Sequence, residues 1–319
     1  MVETGNLVGI LVTRRPAFGT GKAHAIAHHG ELLQGVFEDD AGRLHRGLMT
    51  LPLDRIRSVA TFKITETARI KALPPDRTKA ETAARLTLEH IDRSHTGGDL
   101  VIKSAIPVGH GYGSSTADVV SSIRAVADAH DVKLRRSSIC RLAVAAEGAS
   151  DAIPYEDQAV LFAHREGVVI EHFGGALPPL LVVGFKAHNG MPIDTLGLQP
   201  ARYGSEEIQL FRILRGLASR SIRFQDPYLL GRVATVSAQI SQRHLPKSRL
   251  DVALQIARQH HACGVQVAHS GSLVGVLLDA AQRDAWTKAL DLAQTIRDAG
   301  FKDVEIHSVN TEEALENET

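Results

Sequence analysis

A loop rich in glycine and hydroxyl side chains, between Pro107 and Asp118, carries the strongest chemical signal in the sequence. Its three glycines at alternate positions allow positive φ angles and a close approach of the backbone to an anion. The loop runs into a predicted helix at Ser114, which we expect to be the N-cap residue. Unpaired N–H groups and the positive end of the helix dipole favour a phosphate at such a helix start. We therefore predict that the following residues bind the phosphates of a nucleotide: Pro107, Gly109, His110, Gly111, Gly113, Ser114, Ser115 and Thr116.

Two other nucleotide motifs fit this sequence poorly. Residues 16–23 approach the P-loop pattern G-x-x-x-x-G-K-[ST], but Pro16 replaces the first glycine and Ala23 replaces the hydroxyl residue. The loop itself begins like the dinucleotide pattern G-x-G-x-x-G, yet Ser114 stands at the third glycine position. Three neighbouring hydroxyls also suit a triphosphate with Mg²⁺ better than a pyrophosphate. A glycine-rich turn without a ligand remains the alternative to phosphate binding.

Two carboxylates, Glu147 and Asp151, stand four residues apart at the end of a second predicted helix. Because residues at this spacing face the same side of a helix, the two side chains are expected to lie close together. One carboxylate can hold Mg²⁺ while the other accepts a proton from a hydroxyl group. The alternative is that both carboxylates face solvent at the helix end.

A run of polar residues, His28-His29-Gly30-Glu31, stands at the end of a predicted strand. Such a run is typical of the wall of a binding site, although two surface histidines at a turn would give the same pattern. Because side chains alternate along a strand, at most one of the two imidazoles can point into a site.

A second loop of glycine and serine residues lies within residues 267–275, between two apolar strands. His269, Ser270 and Gly271 stand at its centre. Polar loops between buried strands are common places for contacts with a substrate or a phosphate. A hairpin turn with solvated serines is the alternative.

The composition limits the class of protein. The 319 residues include 36 Lys and Arg against 36 Asp and Glu, so there is no basic excess for nucleic acid or an anionic membrane. No apolar run approaches the roughly 20 residues that span a bilayer. Two cysteines cannot form a disulfide framework. These features predict a cytoplasmic protein without a nucleic-acid or membrane partner, and they are compatible with a homodimer.

The elements that must position these residues mix strands and helices without strict β-α-β alternation, which favours an α+β fold. A turn at residues 39–42 separates two strands within residues 23–53, and residues 58–71 alternate as a further strand. Apolar spacing and breakers predict helices over 82–94, 114–129, 136–147, 205–219, 227–241, 248–261 and 280–299. Strands are predicted over 99–106, 180–185 and 303–309, with a hairpin over 264–279.

In this order the motifs resemble those of the GHMP kinases, a superfamily of small-molecule kinases. The superfamily has a strand that ends in Gly-Glu, a P-x-x-x-G-x-x-S-S loop and a C-terminal glycine-rich loop. These signatures are similar to Gly30-Glu31, residues 107–115 and residues 270–275. The runs GELLQG, SSTAD and VAHSGS resemble more specifically the L-threonine kinases of cobalamin biosynthesis.

The resemblance implies a GHMP kinase fold. We expect an extension over residues 1–22, an ATP-binding domain like ribosomal protein S5 domain 2 over 23–175, and a ferredoxin-like domain over 176–319. It also implies ATP and Mg²⁺ as cofactors and phosphorylation of a small amino-acid-like alcohol, with L-threonine expected first. Another small alcohol, or a sensor that binds nucleotide without catalysis, is the alternative.

The resemblance also implies roles for single residues. Ser115 and Glu147 would hold Mg²⁺, and Asp151 would deprotonate the substrate hydroxyl. Asp157 is a rival base, because the stretch after Glu147 looks slightly longer than in the threonine kinases. One of the two histidines would set substrate choice rather than chemistry, because the related kinases have small residues there. The implied substrate-binding set is His28, His29, Gly30, Glu31, His269, Ser270 and Gly271.

Overall fold

A computed structural model describes residues 19–187, 201–268 and 271–311 of the chain. Strands β1 to β10 of these residues are Thr20–Glu38, Leu44–Thr65, Ile70–Leu73, Gly97–Ser104, Val160–Ala163, Val168–His172, Leu180–Lys186, Gly264–Val267, Leu273–Asp279 and Lys302–Val309. Helices α1 to α7 are Thr78–His90, Ser114–Ala129, Arg136–Glu147, Ser205–Phe224, Pro227–Ser241, Leu250–Gln259 and Ala285–Asp298.

The strands of the described residues join one sheet in the order β10-β7-β9-β8-β1-β2-β4-β3, with β5 and β6 attached beside β2. Strands β3 and β4 are parallel, whereas the other pairs in the described ranges are antiparallel. Such a sheet is incompatible with a doubly wound fold, whose strands are mostly parallel. The predicted α+β class is therefore confirmed.

The two halves of the sheet meet where β1 lies beside β8. Their pairing is short, with Glu31 opposite Val267. The pairing of β1 with β2 shifts register on either side of Glu31, next to Gly30, whose φ angle is 70°. A Cβ atom at Gly30 would lie 2.6 Å from Cα of Ala268, so the strands approach closely there. This irregular stretch of β1 places His28 to Glu31 at the junction of the halves.

Helix α2 packs against β1 and β2 and directs its first turn toward this junction. Its predicted apolar face, Val119, Val120, Ile123 and Val126, is buried, because apolar residues at helical spacing share the side that faces the sheet. Helices α6 and α7 cover one face of the C-terminal strands. No helix in the ranges that the structure describes is long and apolar enough to cross a membrane.

Some predicted boundaries are wrong. Strand β1 begins at Thr20, so the end of the extension predicted at residue 22 already belongs to the sheet. Helix α1 runs over 78–90 rather than 82–94, and Asp92, with a φ angle of 56°, takes the chain out of the helix. Helix α7 begins at Ala285 rather than at residue 280, because a turn follows β9. The single strand predicted over 58–71 is wrong, because β2 runs over Leu44–Thr65 and residues 66–69 separate it from the short strand β3. Residues 1–18 of the predicted extension lie outside the described ranges.

Candidate active site

The glycine-rich loop of residues 107–118, named the phosphate loop below for its predicted ligand, has the backbone conformation that its glycines predict. Gly109, Gly111 and Gly113 have φ angles of 84°, 99° and 71°, a region that residues with a side chain rarely adopt. Helix α2 begins at Ser114, and Gly113 is its N-cap residue. The prediction that Ser114 caps the helix is therefore wrong, because the left-handed turn at Gly113 brings the chain into the helix one residue earlier. The first N–H groups of α2 have no side-chain cap and remain available to an anion.

Gly113 also lies against two polar side chains. A Cβ atom at this position would be 2.3 Å from Cδ2 of His28 and 3.4 Å from Oδ2 of Asp151. Because the first distance is too short for a real contact, only glycine fits between helix α2 and His28. The close approach brings together three segments that are far apart in the sequence.

Glu147 accepts hydrogen bonds from two hydroxyl groups of helix α2. Ser115 Oγ donates to Oε2 and Thr116 Oγ1 donates to Oε1, both at 2.8 Å. Burial raises the pKa of Glu147 to about 7, which outweighs these hydrogen bonds and the nearby Lys79 ammonium. Lys79 Nζ lies 3.3 Å from Ser115 Oγ, so a cation also reaches this side of the loop. The two predicted Mg²⁺ ligands, Ser115 and Glu147, are thus in direct contact.

Asp151 is joined to this network through Thr116. Thr116 Oγ1 shares its one proton between Glu147 and Asp151 Oδ2, from which it lies 3.2 Å, and His28 Nε2 lies 3.1 Å from the same oxygen of Asp151. The Asp151 side chain is 21% exposed, whereas the His28 ring is buried. Burial alone would raise the pKa of Asp151, but the charge and hydrogen bond of His28 lower it below its usual value. Asp151 is therefore an ionised carboxylate at neutral pH.

His28 is held on both sides of its ring. The Gly30 N–H approaches Nδ1 at 3.0 Å, and Nε2 faces Asp151 and carries a proton whether the ring is neutral or charged. Burial lowers the pKa of His28, but the carboxylates of Asp151 and Glu31 raise it above the usual value. One ligand atom from each of His28, Glu31 and Asp151 lies within 4.8 Å of the others. These three predicted site residues form one compact group.

His29 points to the opposite face of β1, as the alternation of side chains predicts. Its Nδ1 contacts the side-chain amide of Gln266, and its ring meets Tyr112 edge-on with ring centroids 5.8 Å apart. A Cβ atom at Gly184 would lie 2.2 Å from His29 Nε2, so the ring packs against the backbone of β7. The exposed fraction is 3% for His28 and 0% for His29, so the alternative of two surface histidines is wrong.

The second glycine-rich loop packs on the phosphate loop. The Ser272 N–H donates to the His110 carbonyl at 2.9 Å, and Ser272 Oγ lies 3.3 Å from His110 Nδ1. Gly271 has a φ angle of 117°, and a Cβ atom there would be 2.2 Å from the His110 oxygen. His269 and Ser270 lie outside the described residues, so their contact with a substrate stays a prediction.

Asp157, the rival base, lies away from this network. Arg136 donates to both of its carboxylate oxygens, at 2.6 and 2.9 Å, and lowers its pKa. The Asp157 side chain is 55% exposed. Of the two candidate bases, Asp151 is the one that contacts the helix of the phosphate loop.

Two lysines at the site gave no signal in the sequence. Lys79 comes from α1 and reaches Ser115. Lys247 lies between α5 and α6, is buried, and donates to the Gly271 carbonyl. Neither lysine stands in or near a motif, and their positions follow only from the packing of distant elements.

The arrangement contains the groups that phosphoryl transfer to an alcohol requires. Backbone N–H groups can bind phosphate oxygens, hydroxyl and carboxylate oxygens can bind a hard cation, and an ionised carboxylate can orient or deprotonate the acceptor. Fold and site together therefore define a small-molecule phosphotransferase.

Comparison with known proteins supports this class. Residues 78–162 match the GHMP kinases N terminal domain. An L-threonine kinase of Salmonella typhimurium is 28% identical over 284 residues, which are 82% of this chain and 84% of that protein. An L-threonine kinase of Citrobacter freundii is 30% identical over 198 residues, which are 57% of this chain and 63% of that protein. The crystal structure of homoserine kinase from Cytophaga hutchinsonii has the same fold, with a TM-score of 0.69, 16% identity, and coverage of 95% of this chain and 98% of that chain. Residues 78–162 thus form a GHMP kinase N-terminal domain, and the protein is a small-molecule kinase.

Proposed function

We propose that the protein transfers the γ-phosphoryl group of ATP to the hydroxyl group of L-threonine in a reaction that requires Mg²⁺. The observation that carries this proposal is the contact of Asp151 and Glu147 with the same first turn of α2, through Thr116 and Ser115. L-threonine is the favoured acceptor because the relatives similar over most of the chain include an L-threonine kinase. We also propose that an N-terminal, ATP-binding domain ends at residue 175 and that a C-terminal domain begins at residue 176.

The phosphate loop and the start of α2 bind the triphosphate in this proposal. The uncapped N–H groups of the first helical turn and the positive end of the helix dipole face the same region as the loop. Lys79 adds a positive charge beside Ser115. Binding therefore depends mainly on backbone donors, with the charge of Lys79 beside them.

The oxygen atoms of Ser115 and Glu147 suit Mg²⁺, which prefers hard oxygen ligands. Glu147 fits this role because it is buried and forms no ion pair of 4.0 Å or less with another residue in the described ranges. A bound Mg²⁺ would neutralise part of the negative charge of the phosphate groups. Thr116 keeps the second oxygen of Glu147 occupied and thereby fixes the orientation of the carboxylate.

Asp151 accepts the proton of the acceptor hydroxyl in this proposal. The hydrogen bonds from Thr116 and His28 both end on Oδ2, and Oδ1 has no partner among the described residues. In this proposal Oδ1 is the oxygen that accepts the proton. His28 acts as a positioning residue that keeps the carboxylate ionised and oriented, a role in the chemistry rather than in substrate choice alone.

A comparison of acceptors tests the proposal. The purified protein is mixed with ATP and Mg²⁺, and ADP release is measured with L-threonine, L-serine, L-homoserine, mevalonate and galactose, each against a control without acceptor. The largest kcat/KM is expected for L-threonine. A larger kcat/KM for another acceptor would reassign the substrate within the GHMP kinases. Binding of ATP without turnover of any acceptor would instead favour a nucleotide sensor.

A further inference from the structure

Lys247 is a buried lysine that no step of the proposed reaction uses. It lies between α5 and α6, and only 1% of its surface is exposed. Lysines are rarely so buried, because loss of water disfavours the ammonium form. Burial lowers the pKa of Lys247 to about 8, although the carboxylate of Glu31 opposes this effect. An ammonium group in this position therefore needs a strong compensating contact.

The contact that Lys247 makes leads to the phosphate loop. Its ammonium donates to the Gly271 carbonyl at 2.7 Å. The N–H of the same peptide group, that of Ser272, donates to the His110 carbonyl at 2.9 Å. The His110 C=O and the Gly111 N–H belong to one peptide group. In a trans peptide these two groups point in opposite directions, so the Gly111 N–H points away from Ser272. This N–H has no acceptor among the described residues.

The backbone of Lys247 is fixed as firmly as its side chain. Gln242, just after α5, accepts from the Lys247 N–H at 2.7 Å and donates to the Lys247 carbonyl at 2.9 Å. The side-chain amide of Gln242 therefore forms hydrogen bonds with both the N–H and the C=O of the Lys247 backbone. The contact with Gln242, which lies outside the candidate active site, thus fixes the backbone from which the Lys247 side chain reaches Gly271.

We propose that Lys247 is a positioning residue that strengthens phosphate binding through two peptide groups. Hydrogen bonds in a chain polarise one another, so a positive charge at one end makes the N–H at the other end a better donor. The chain runs from Lys247 through the Gly271–Ser272 peptide to the His110–Gly111 peptide, whose N–H belongs to the phosphate loop. The same contacts hold the two glycine-rich loops together. This inference rests on the proposed function, because it takes the phosphate loop to bind ATP.

Binding of ATP, ADP and adenosine to Lys247→Met, measured by isothermal titration calorimetry with Mg²⁺, tests the proposal. Methionine has a similar length and no charge, so this substitution removes the ammonium group at the end of the hydrogen-bond chain with little change in volume. The dissociation constant for ATP is expected to rise about threefold or more, because the Gly111 N–H stays in place and loses only the strengthening that the hydrogen-bond chain gives it. The effect should be smaller for ADP, and adenosine should bind within about twofold of wild type, because it carries no phosphate.

Two matched variants complete the test. Lys288→Met removes an exposed lysine of α7 that pairs with Asp284, and it should bind all three ligands like wild type. If Lys247→Met does not fold, the same three ligands are measured with Gln242→Ala. This variant should lose less affinity than Lys247→Met, and the loss should again be largest for ATP. Equal losses for ATP and adenosine, or no loss for ATP, would overturn the proposal. Failure of the wild-type protein to bind ATP would instead refute the proposed function.

Discussion

The contact between His28 and Asp151 makes a direct prediction about the pH dependence of the reaction. The variant His28→Ala removes an imidazole whose Nε2 lies 3.1 Å from Asp151 Oδ2 and leaves the carboxylate in place. Thr116 still donates to the same oxygen at 3.2 Å, so the variant tests the loss of a charge rather than of every contact. His28→Gln is the matched variant, because it keeps a donor without the charge.

The sign of the effect follows from the two causes that act on the pKa of Asp151. Burial raises this pKa, and His28 more than offsets the increase. Asp151 must be ionised to accept a proton, so kcat falls as the pH drops through its pKa. Without the imidazole the effect of burial remains, and the acid limb of the profile moves to higher pH. An opposite charge at this distance is worth about 1–3 pKa units, and each unit corresponds to about 1.4 kcal/mol.

The assay is the profile of kcat against pH from 4 to 9, at saturating ATP, Mg²⁺ and L-threonine, because the pKa of about 2 for Asp151 puts the wild-type acid limb below this range. The acid limb of His28→Ala should lie about 1–3 pH units above that of wild type and so enter this range, with His28→Gln between them. His29→Ala controls for loss of a neighbouring imidazole and should keep the wild-type limb, although it should unfold at lower temperature because the ring is buried. An unchanged limb in His28→Ala, or one shifted to lower pH, would refute the role assigned to His28.

Three further predictions concern the other site residues. The Asp151→Asn variant should still bind ATP, but its kcat should be lower by about 10²-fold or more, whereas Asp157→Asn should change kcat much less. The reverse order in steady-state kinetics would identify Asp157 as the base. Ser115→Ala should raise the Mg²⁺ concentration that gives half-maximal rate, and a folded variant with unchanged Mg²⁺ dependence would remove Ser115 from the metal site. Gly113→Val should abolish activity and lower the melting temperature, because a side chain would collide with His28; retention of wild-type nucleotide affinity would contradict this geometry.

Local patterns predicted much of the fold. The bounds of α2, α3 and α5 agree with the structure, because apolar spacing and breaking residues mark both ends of these helices. The turn at residues 39–42 is also confirmed, with a hydrogen bond from the Gly42 N–H to the Asp39 carbonyl at 2.9 Å. The phosphate loop could be predicted because its glycines and the helix start are neighbours in the sequence.

Features that depend on distant packing could not be predicted in this way. The contact of His28 with Asp151 spans 123 positions in the sequence, so the pattern indicated a site wall but not the partner. The roles of Lys79 and Lys247 follow from where α1 and the segment after α5 lie against the loops. Strand β3 is defined by its parallel pairing with β4 rather than by its own sequence.

Transfer of phosphate from γ-labelled ATP to L-threonine tests the central claim most directly. The product is separated and identified by mass spectrometry after incubation of the wild-type protein, or of Asp151→Asn, with Mg²⁺. Labelled O-phospho-L-threonine should form with the wild-type protein, at least about 10²-fold faster than with Asp151→Asn. Label that appears only in inorganic phosphate, or equal rates of product formation by the two proteins, would contradict the account.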